Sequence, residues 1–114
     1  MLADEDMRRV VARLIESKLV GTPGFVSRTG ARGFLHLSSG RSRIGGGLAT
    51  GGPVSGGLRF STPDRLVVIE RCELGYRVLV RSFVGGFPMV WCDRIHDDIE
   101  CIVPALLDAL PVAR

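Results

Sequence analysis

The sequence has no apolar run long enough to span a membrane. Its longest weakly polar stretch, Phe83 to Cys92, falls far short of the ~20 residues that a spanning helix needs. The chain begins Met-Leu-Ala-Asp-Glu-Asp, without the basic and apolar regions of a secretory signal. We therefore expect a soluble cytoplasmic protein that has no membrane partner.

Cysteine is scarce as well. The three cysteines, Cys72, Cys92 and Cys101, are odd in number and form no Cys-x-x-Cys spacing. This pattern fits reduced thiols in an intracellular protein better than a disulfide framework.

A chain of 114 residues is predicted to form a single domain, residues 1–114, because that length buries roughly two-thirds of the unfolded surface.

Acidic residues are missing from Gly21 through Pro63, and lysine occurs only once in the chain, at position 18. Twelve of the fifteen glycines lie between Gly21 and Gly57, and we call residues 21–57 the glycine-rich segment. The arginines from Gly21 through Pro63 are Arg28, Arg32, Arg41, Arg43 and Arg59. Arginine suits bidentate contacts to carboxylate and phosphate groups, although GC-rich coding produces the same compositional bias.

The first regular element predicted is an amphipathic helix near the amino terminus. Its apolar positions recur at helical spacing: Met7, Val10, Val11, Leu14, Ile15 and Leu19. Asp4 is a candidate N-cap and Gly21 a candidate stop. We expect this stripe to pack on a sheet, the alternative being that it binds a partner.

From Leu58 onward the pattern changes to strands. The predicted strands are Leu58–Ser61, Arg65–Cys72, Tyr76–Phe83 and Phe87–Cys92. The short connections between them predict an antiparallel meander. A two-residue loop at Glu73 and Leu74 would place Glu70 opposite Arg77, whereas a three-residue loop ending at Gly75 would not. We prefer the two-residue loop, which puts Val67, Ile69, Tyr76, Val78 and Val80 on one apolar face.

A second helical stripe closes the chain. It comprises Ile95, Ile99, Ile102, Val103, Leu106 and Leu110. Asp93, Asp97 or Asp98 could cap this helix. Pro104 lies inside the pattern, which predicts a kink or a break into two short helices. The fold class predicted is α+β, with a helix at each end and an antiparallel meander of four to six strands between them.

The glycine-rich segment is compatible with more than one structure. Residues 25–28 and 33–37 could form a hairpin that joins the same sheet, with a mobile tip from Ser38 to Gly57. Residues 39–47 do not match a phosphate loop, because no Gly-Lys-Ser/Thr follows and Thr50 stands where the dinucleotide fingerprint needs glycine. We predict no cofactor.

Few residues are placed for catalysis or metal binding. On a helix, His96 and Glu100 would lie one turn apart, but two exposed ligands without a third make a weak site, so no metal is predicted. An acidic helix start explains these residues better. A Cys-His pair lacks any supporting spacing, and we expect the cysteines to be core or boundary residues. The chain is therefore predicted not to be an enzyme.

The closing stretch resembles the sheet-then-helix ending of small bacterial immunity proteins from polymorphic toxin systems. The resemblance rests on strand Tyr76–Phe83, Gly85-Gly86, a strand through Trp91 and the acidic start Asp97 to Glu100. It implies a compact α+β protein that blocks a toxin's active site without performing chemistry. Small secretion chaperones share a similar helix-flanked sheet.

These observations predict a non-catalytic bacterial protein-interaction module. Its candidate partner-binding residues are Arg28, Arg32, Arg41 and Arg43. Either these residues of the glycine-rich segment or an adjoining sheet face would meet an acidic protein surface. The alternative is a nucleic-acid-binding module that uses the same arginines with Phe25 and Phe34 under the bases. A homodimer is compatible with either function.

Overall fold

The computed structural model describes residues 4–37, 54–84 and 86–112. Its helices are α1 (Asp4–Val20), α2 (Phe25–Thr29) and α3 (Ile102–Ala109), the last preceded by a 3₁₀ turn (Ile99–Cys101). Its strands are β1 (Arg32–Leu37), β2 (Val54–Ser61), β3 (Arg65–Cys72), β4 (Gly75–Val84) and β5 (Phe87–His96). The described helices are too short or too polar to cross a membrane.

The five strands form one antiparallel sheet in the order β1-β2-β3-β4-β5. Sequence-adjacent strands are neighbours throughout, because the connections β2–β3, β3–β4 and β4–β5 are too short for a crossover. The predicted α+β fold with a meander is confirmed. Glu70 pairs with Arg77, which confirms the two-residue loop at Glu73 and Leu74.

One face of the sheet carries the hydrophobic core. The predicted apolar set of β3 and β4 is buried there, together with Leu58 and Phe60 of β2. Helix α1 packs on this face over β1 and β2, and α3 packs over β4 and β5. We call it the helix face, and the other side of the sheet the opposite face.

Helix α1 buries only part of its predicted stripe. Val11, Ile15 and Leu19 belong to the core, whereas Met7, Val10 and Leu14 are exposed. These three side chains stay exposed because the apolar stripe covers more of the helix circumference than one sheet can contact. The helix axis lies close to β2, since a Cβ added at Gly56 would lie 2.5 Å from the Arg8 carbonyl oxygen.

The carboxy-terminal helix starts later than predicted. Residues 93–96 continue strand β5, so Asp93 does not cap a helix and Ile95 does not belong to a helical stripe. Asp98 caps the 3₁₀ turn, where its Oδ1 accepts a hydrogen bond from the Glu100 backbone N–H at 3.0 Å. Pro104 is the third residue of α3, in the first turn, where its missing N–H removes no intrahelical bond.

Residues 25–28 are not a strand. They lie in the short helix α2, which is bounded by Gly24 and Gly30, both in left-handed backbone conformation. The Thr29 hydroxyl donates to the Phe25 carbonyl oxygen at 2.8 Å, and the Phe25 side chain is buried in the core. These contacts favour a helical turn over an extended conformation.

The second half of the predicted hairpin is correct, because β1 covers residues 33–37. It pairs with β2, which begins at Val54. The predicted mobile tip from Ser38 to Gly57 is therefore wrong for residues 54–57, which are strand. Its remaining part, residues 38–53, lies outside the described residues.

Candidate functional site

The opposite face of the sheet carries most of the charge that the strands present. Its residues follow from the register, because directly paired residues of neighbouring strands point to the same face. Arg59, Val68, Leu79 and Asp93 form one row across the sheet. Arg32, Ser61, Leu66, Arg81 and Val90 form the next row. No described helix packs on this face.

A groove of about 470 Å³ runs along this face. Arg59 and Arg81 line it, and the side chains of Leu66 and Val68 lie between them. The edge strand β1 contributes Leu35, His36 and Leu37. We call this groove, together with Arg32 in the same row as Arg81, the basic groove. Its cationic rim and apolar floor suit a ligand that is both anionic and partly apolar.

Next to the basic groove lies a buried charge cluster of Glu70, Arg77 and Asp93. Arg77 donates two hydrogen bonds to Asp93, from Nε to Oδ1 at 2.9 Å and from an Nη to Oδ2 at 2.7 Å. Arg77 is 1% exposed and Glu70, its cross-strand partner, is 2% exposed. The hydrogen bonds that Arg77 donates to Asp93 raise the pKa of Arg77, and the Glu70 charge acts in the same direction.

This cluster determines the balance of charge on the opposite face. Its two carboxylates lie beside the Arg77 guanidinium. Among the residues described, Arg59 and Arg81 form no ion pair with a carboxylate. Two positive charges of the basic groove are therefore available to an acidic ligand.

The four arginines predicted as the site divide between different locations. Arg28 is exposed on α2. Arg32 is exposed at the start of β1 and shares a row with Arg81. Arg41 and Arg43 lie outside the described residues. The structure therefore associates Arg32 with a basic surface and places Arg28 on a separate element.

The two phenylalanines of the nucleic-acid hypothesis are parts of the hydrophobic core. Phe25 is 1% exposed and packs edge-on against Phe60, with ring centroids 6.2 Å apart. Phe34 is partly buried against the Phe60 ring, with ring centroids 5.2 Å apart. Neither ring is placed to stack on a base, which requires an open aromatic face.

The other residues considered for chemistry are dispersed. His96 ends β5 and Glu100 lies in the 3₁₀ turn, so they are not one helical turn apart, and Glu100 forms an ion pair with Lys18 of α1. In the described part of the chain, no three His, Cys, Asp or Glu residues converge as metal ligands. Cys72 and Cys92 are half-buried, Cys101 is exposed, and all three are free thiols.

Sequence reasoning did not identify Arg59, Arg81 or Asp93 as site residues. Their strands were largely predicted, and so was the register that joins β3 to β4. Alternation along β2 and β4 would have placed Arg59 and Arg81 on the face away from the apolar set. That signal was present in the sequence, whereas the assignment of Asp93 depended on recognising that β5 continues to His96.

Comparison with protein families, curated proteins and solved structures found no match to this chain.

Proposed function

We propose that this chain is a non-catalytic protein-interaction module of the bacterial cytoplasm, acting as an immunity-type or chaperone-type partner protein. It binds an acidic surface of another protein with the basic groove. The observation that carries the proposal is the pair Arg59 and Arg81, which flank the apolar side chains of Leu66 and Val68 on a sheet face that no described helix covers.

The composition of the basic groove favours a protein ligand. Arginine is enriched in the binding hot spots of protein interfaces, where it surrounds or crosses an apolar centre. Leu66 and Val68 supply such a centre, and Leu35 beside them is 53% exposed. A phosphate backbone would use the arginines and gain little from the aliphatic floor. Because Phe25 and Phe34 pack into the core, a single-stranded nucleic acid would also lack a stacking surface.

The charge cluster supports the same function indirectly. Its carboxylates are beside Arg77, so they neutralise little of the positive potential at Arg59 and Arg81. An approaching acidic surface is therefore attracted to the basic groove without first displacing an internal carboxylate.

The test is capture of the partner from the native host after nuclease treatment, followed by affinity measurements with the purified partner. The variant Arg59→Ala/Arg81→Ala should weaken binding by roughly 1 to 4 kcal/mol, the range for arginine anchors at interfaces. Its unfolding midpoint should change little, because charges outside a buried ion pair contribute little to stability. The matched control is Arg9→Ala/Arg13→Ala, which removes the same charge from exposed residues of α1, outside the basic groove.

The proposal fails if the control and the groove variant weaken binding equally. Binding that survives both substitutions would also refute it. If the captured ligand is a nucleic acid, affinity should fall steeply with salt whatever its sequence, and the alternative function would replace this one.

A further inference from the structure

Strand β5 leaves one edge of the sheet exposed and unusually apolar. It is ten residues long, against six for β1 at the other edge, and no described strand pairs with its outer side. The exposed apolar side chains lie in its first half and are 55% to 74% exposed: Phe87, Met89, Val90 and Trp91.

An edge strand of this kind is a template for pairing with another chain. Its outer backbone N–H and C=O groups have no partner in a described strand. Natural proteins usually protect such edges with lysine, proline, short length or bulges. Strand β5 has no lysine. Pro88 removes a single donor, and a bulge at Trp91 interrupts the pairing with β4 only once. These features leave most of the edge competent for pairing.

The bulge changes which residues of β5, odd-numbered or even-numbered, lie on the helix face. Before it, Phe87 and Met89 lie on the helix face, since they pair with Val84 and Ser82 of β4. After it, even-numbered residues such as Arg94 and His96 lie on the helix face. In the apolar first half of the strand, odd-numbered residues therefore face the helices, whereas in the polar second half even-numbered residues do.

This phase change makes β5 compatible with a second copy of itself. If two β5 strands pair antiparallel about a two-fold axis between Trp91 and Cys92, all ten residues find a partner without a gap. Phe87 then opposes His96 of the other copy, Met89 opposes Arg94, and Val90 opposes Asp93. In each pair the two residues lie on the same face of the joined sheet, as cross-strand pairing requires: the first two pairs on the helix face and the third on the opposite face.

The side chains in this register are also complementary. No two like charges oppose each other, and the Arg94 guanidinium comes next to the aromatic half of the other strand, where cation–π contacts are available. Trp91 already makes such a contact within its own chain, with the Arg65 guanidinium carbon 4.8 Å from the ring centroid. That contact holds the indole in place at the edge before any partner arrives.

We propose that β5 pairs with β5 of a second copy of this chain, which forms a continuous ten-stranded sheet and a homodimer. The exposed apolar area available on β5 is on the order of 500 Å² per chain, taking aromatic side chains at about 200 Å² each. With the paired backbone, this approaches the roughly 800 Å² per partner of a standard interface. The dimer leaves the basic groove of each copy on the opposite face, so this proposal stands or falls independently of the proposed function.

Sedimentation equilibrium of the purified full chain tests the dimer. At about 100 μM, where even micromolar interfaces are occupied, the wild type should show twice the 12.3 kDa chain mass. Met89→Lys places a lysine opposite Arg94 of the other copy and should raise the dissociation constant at least tenfold, because like charges directly across a ladder are destabilising. Val90→Glu, which places a carboxylate opposite Asp93 of the other copy, serves the same purpose if Met89→Lys does not fold. The matched control is Leu14→Lys, which charges a similarly exposed apolar residue on α1 and should dimerise as the wild type does.

Disulfide cross-linking tests the register. In a Cys92→Ser background, Met89→Cys and Arg94→Cys chains should form a cross-linked dimer only when the two variants are mixed, because residue 89 opposes residue 94. Cross-linking by Met89→Cys alone would indicate a different register and overturn the proposal. A wild type that stays monomeric at 100 μM, or loss of the dimer through Leu14→Lys and not Met89→Lys, would overturn it as well.

Discussion

The ion pair between Arg77 and Asp93 makes a sharp prediction about stability. The substitution Asp93→Ala removes both hydrogen bonds to a guanidinium that is 1% exposed. Arg77 cannot lose its proton, because an arginine guanidinium stays charged in proteins, so in this variant either the charge remains buried or the strand must open.

The expected cost follows from burial. Removing one partner of a buried pair typically costs about 3–5 kcal/mol, because the remaining charge is uncompensated. Here the Asp93 side chain is 16% exposed and Glu70 stays beside Arg77, which reduces the loss. We expect Asp93→Ala to lower the free energy of unfolding by about 2–4 kcal/mol. Arg77→Met removes the guanidinium that lies beside the Glu70 and Asp93 carboxylates and should also lower the free energy of unfolding. Adding Glu70→Gln removes one of the two negative charges and should recover part of that loss.

The measurement is urea unfolding followed by the fluorescence of Trp91, the only tryptophan. Chain concentration is held low and equal in all samples, so that association does not contribute. The control is Glu100→Ala, which removes an exposed ion pair with Lys18 and should cost less than about 1 kcal/mol. If Asp93→Ala costs no more than this control, the buried pair is not an essential contact and the reasoning is wrong.

Two backbone predictions accompany it, both measured by the same unfolding assay. Gly56→Ala should lower the free energy of unfolding by more than about 2 kcal/mol, because Gly56 has φ +117° and the added Cβ would lie 2.5 Å from the Arg8 carbonyl oxygen. The control Gly24→Ala, at φ +78° but with open space around the added Cβ, should lower it by only about 1 kcal/mol. Equal costs would mean that α1 does not approach β2 closely. Pro104→Ala should change stability by less than about 1 kcal/mol, since a first-turn proline blocks no intrahelical bond. A cost above about 2 kcal/mol would show that Pro104 fixes a specific chain turn.

The elements with strong local signals were predictable from the sequence. Helix α1 was expected to run from an Asp4 cap to a Gly21 stop, and it runs from Asp4 to Val20. The pairing of Glu70 with Arg77 followed from a two-residue loop and opposite charges. In each case local propensity, apolar spacing and charge favour the same structure.

The errors arose where two patterns compete for the same residues. Residues 93–96 carry acidic residues typical of a helix start, but tertiary pairing with β4 makes them strand. Phe25-Val26 is β-favouring in composition, yet glycines in left-handed conformation on either side permit the short helix α2. Contact between Arg77 and Asp93 joins positions sixteen residues apart, and only the extension of β5 brings them together.

That extension also gives the buried charges a role beyond stability. A slip of β5 by one residue would move Asp93 to the helix face and leave Arg77 buried without its bidentate partner. The bulge at Trp91 supplies the local irregularity at which such a slip could occur. We infer that the Arg77–Asp93 pair specifies one register of the edge strand, which is the best-attested use of a buried ion pair. This register sets the face on which each exposed side chain of β5 projects, and the proposed pairing of two β5 strands requires that arrangement.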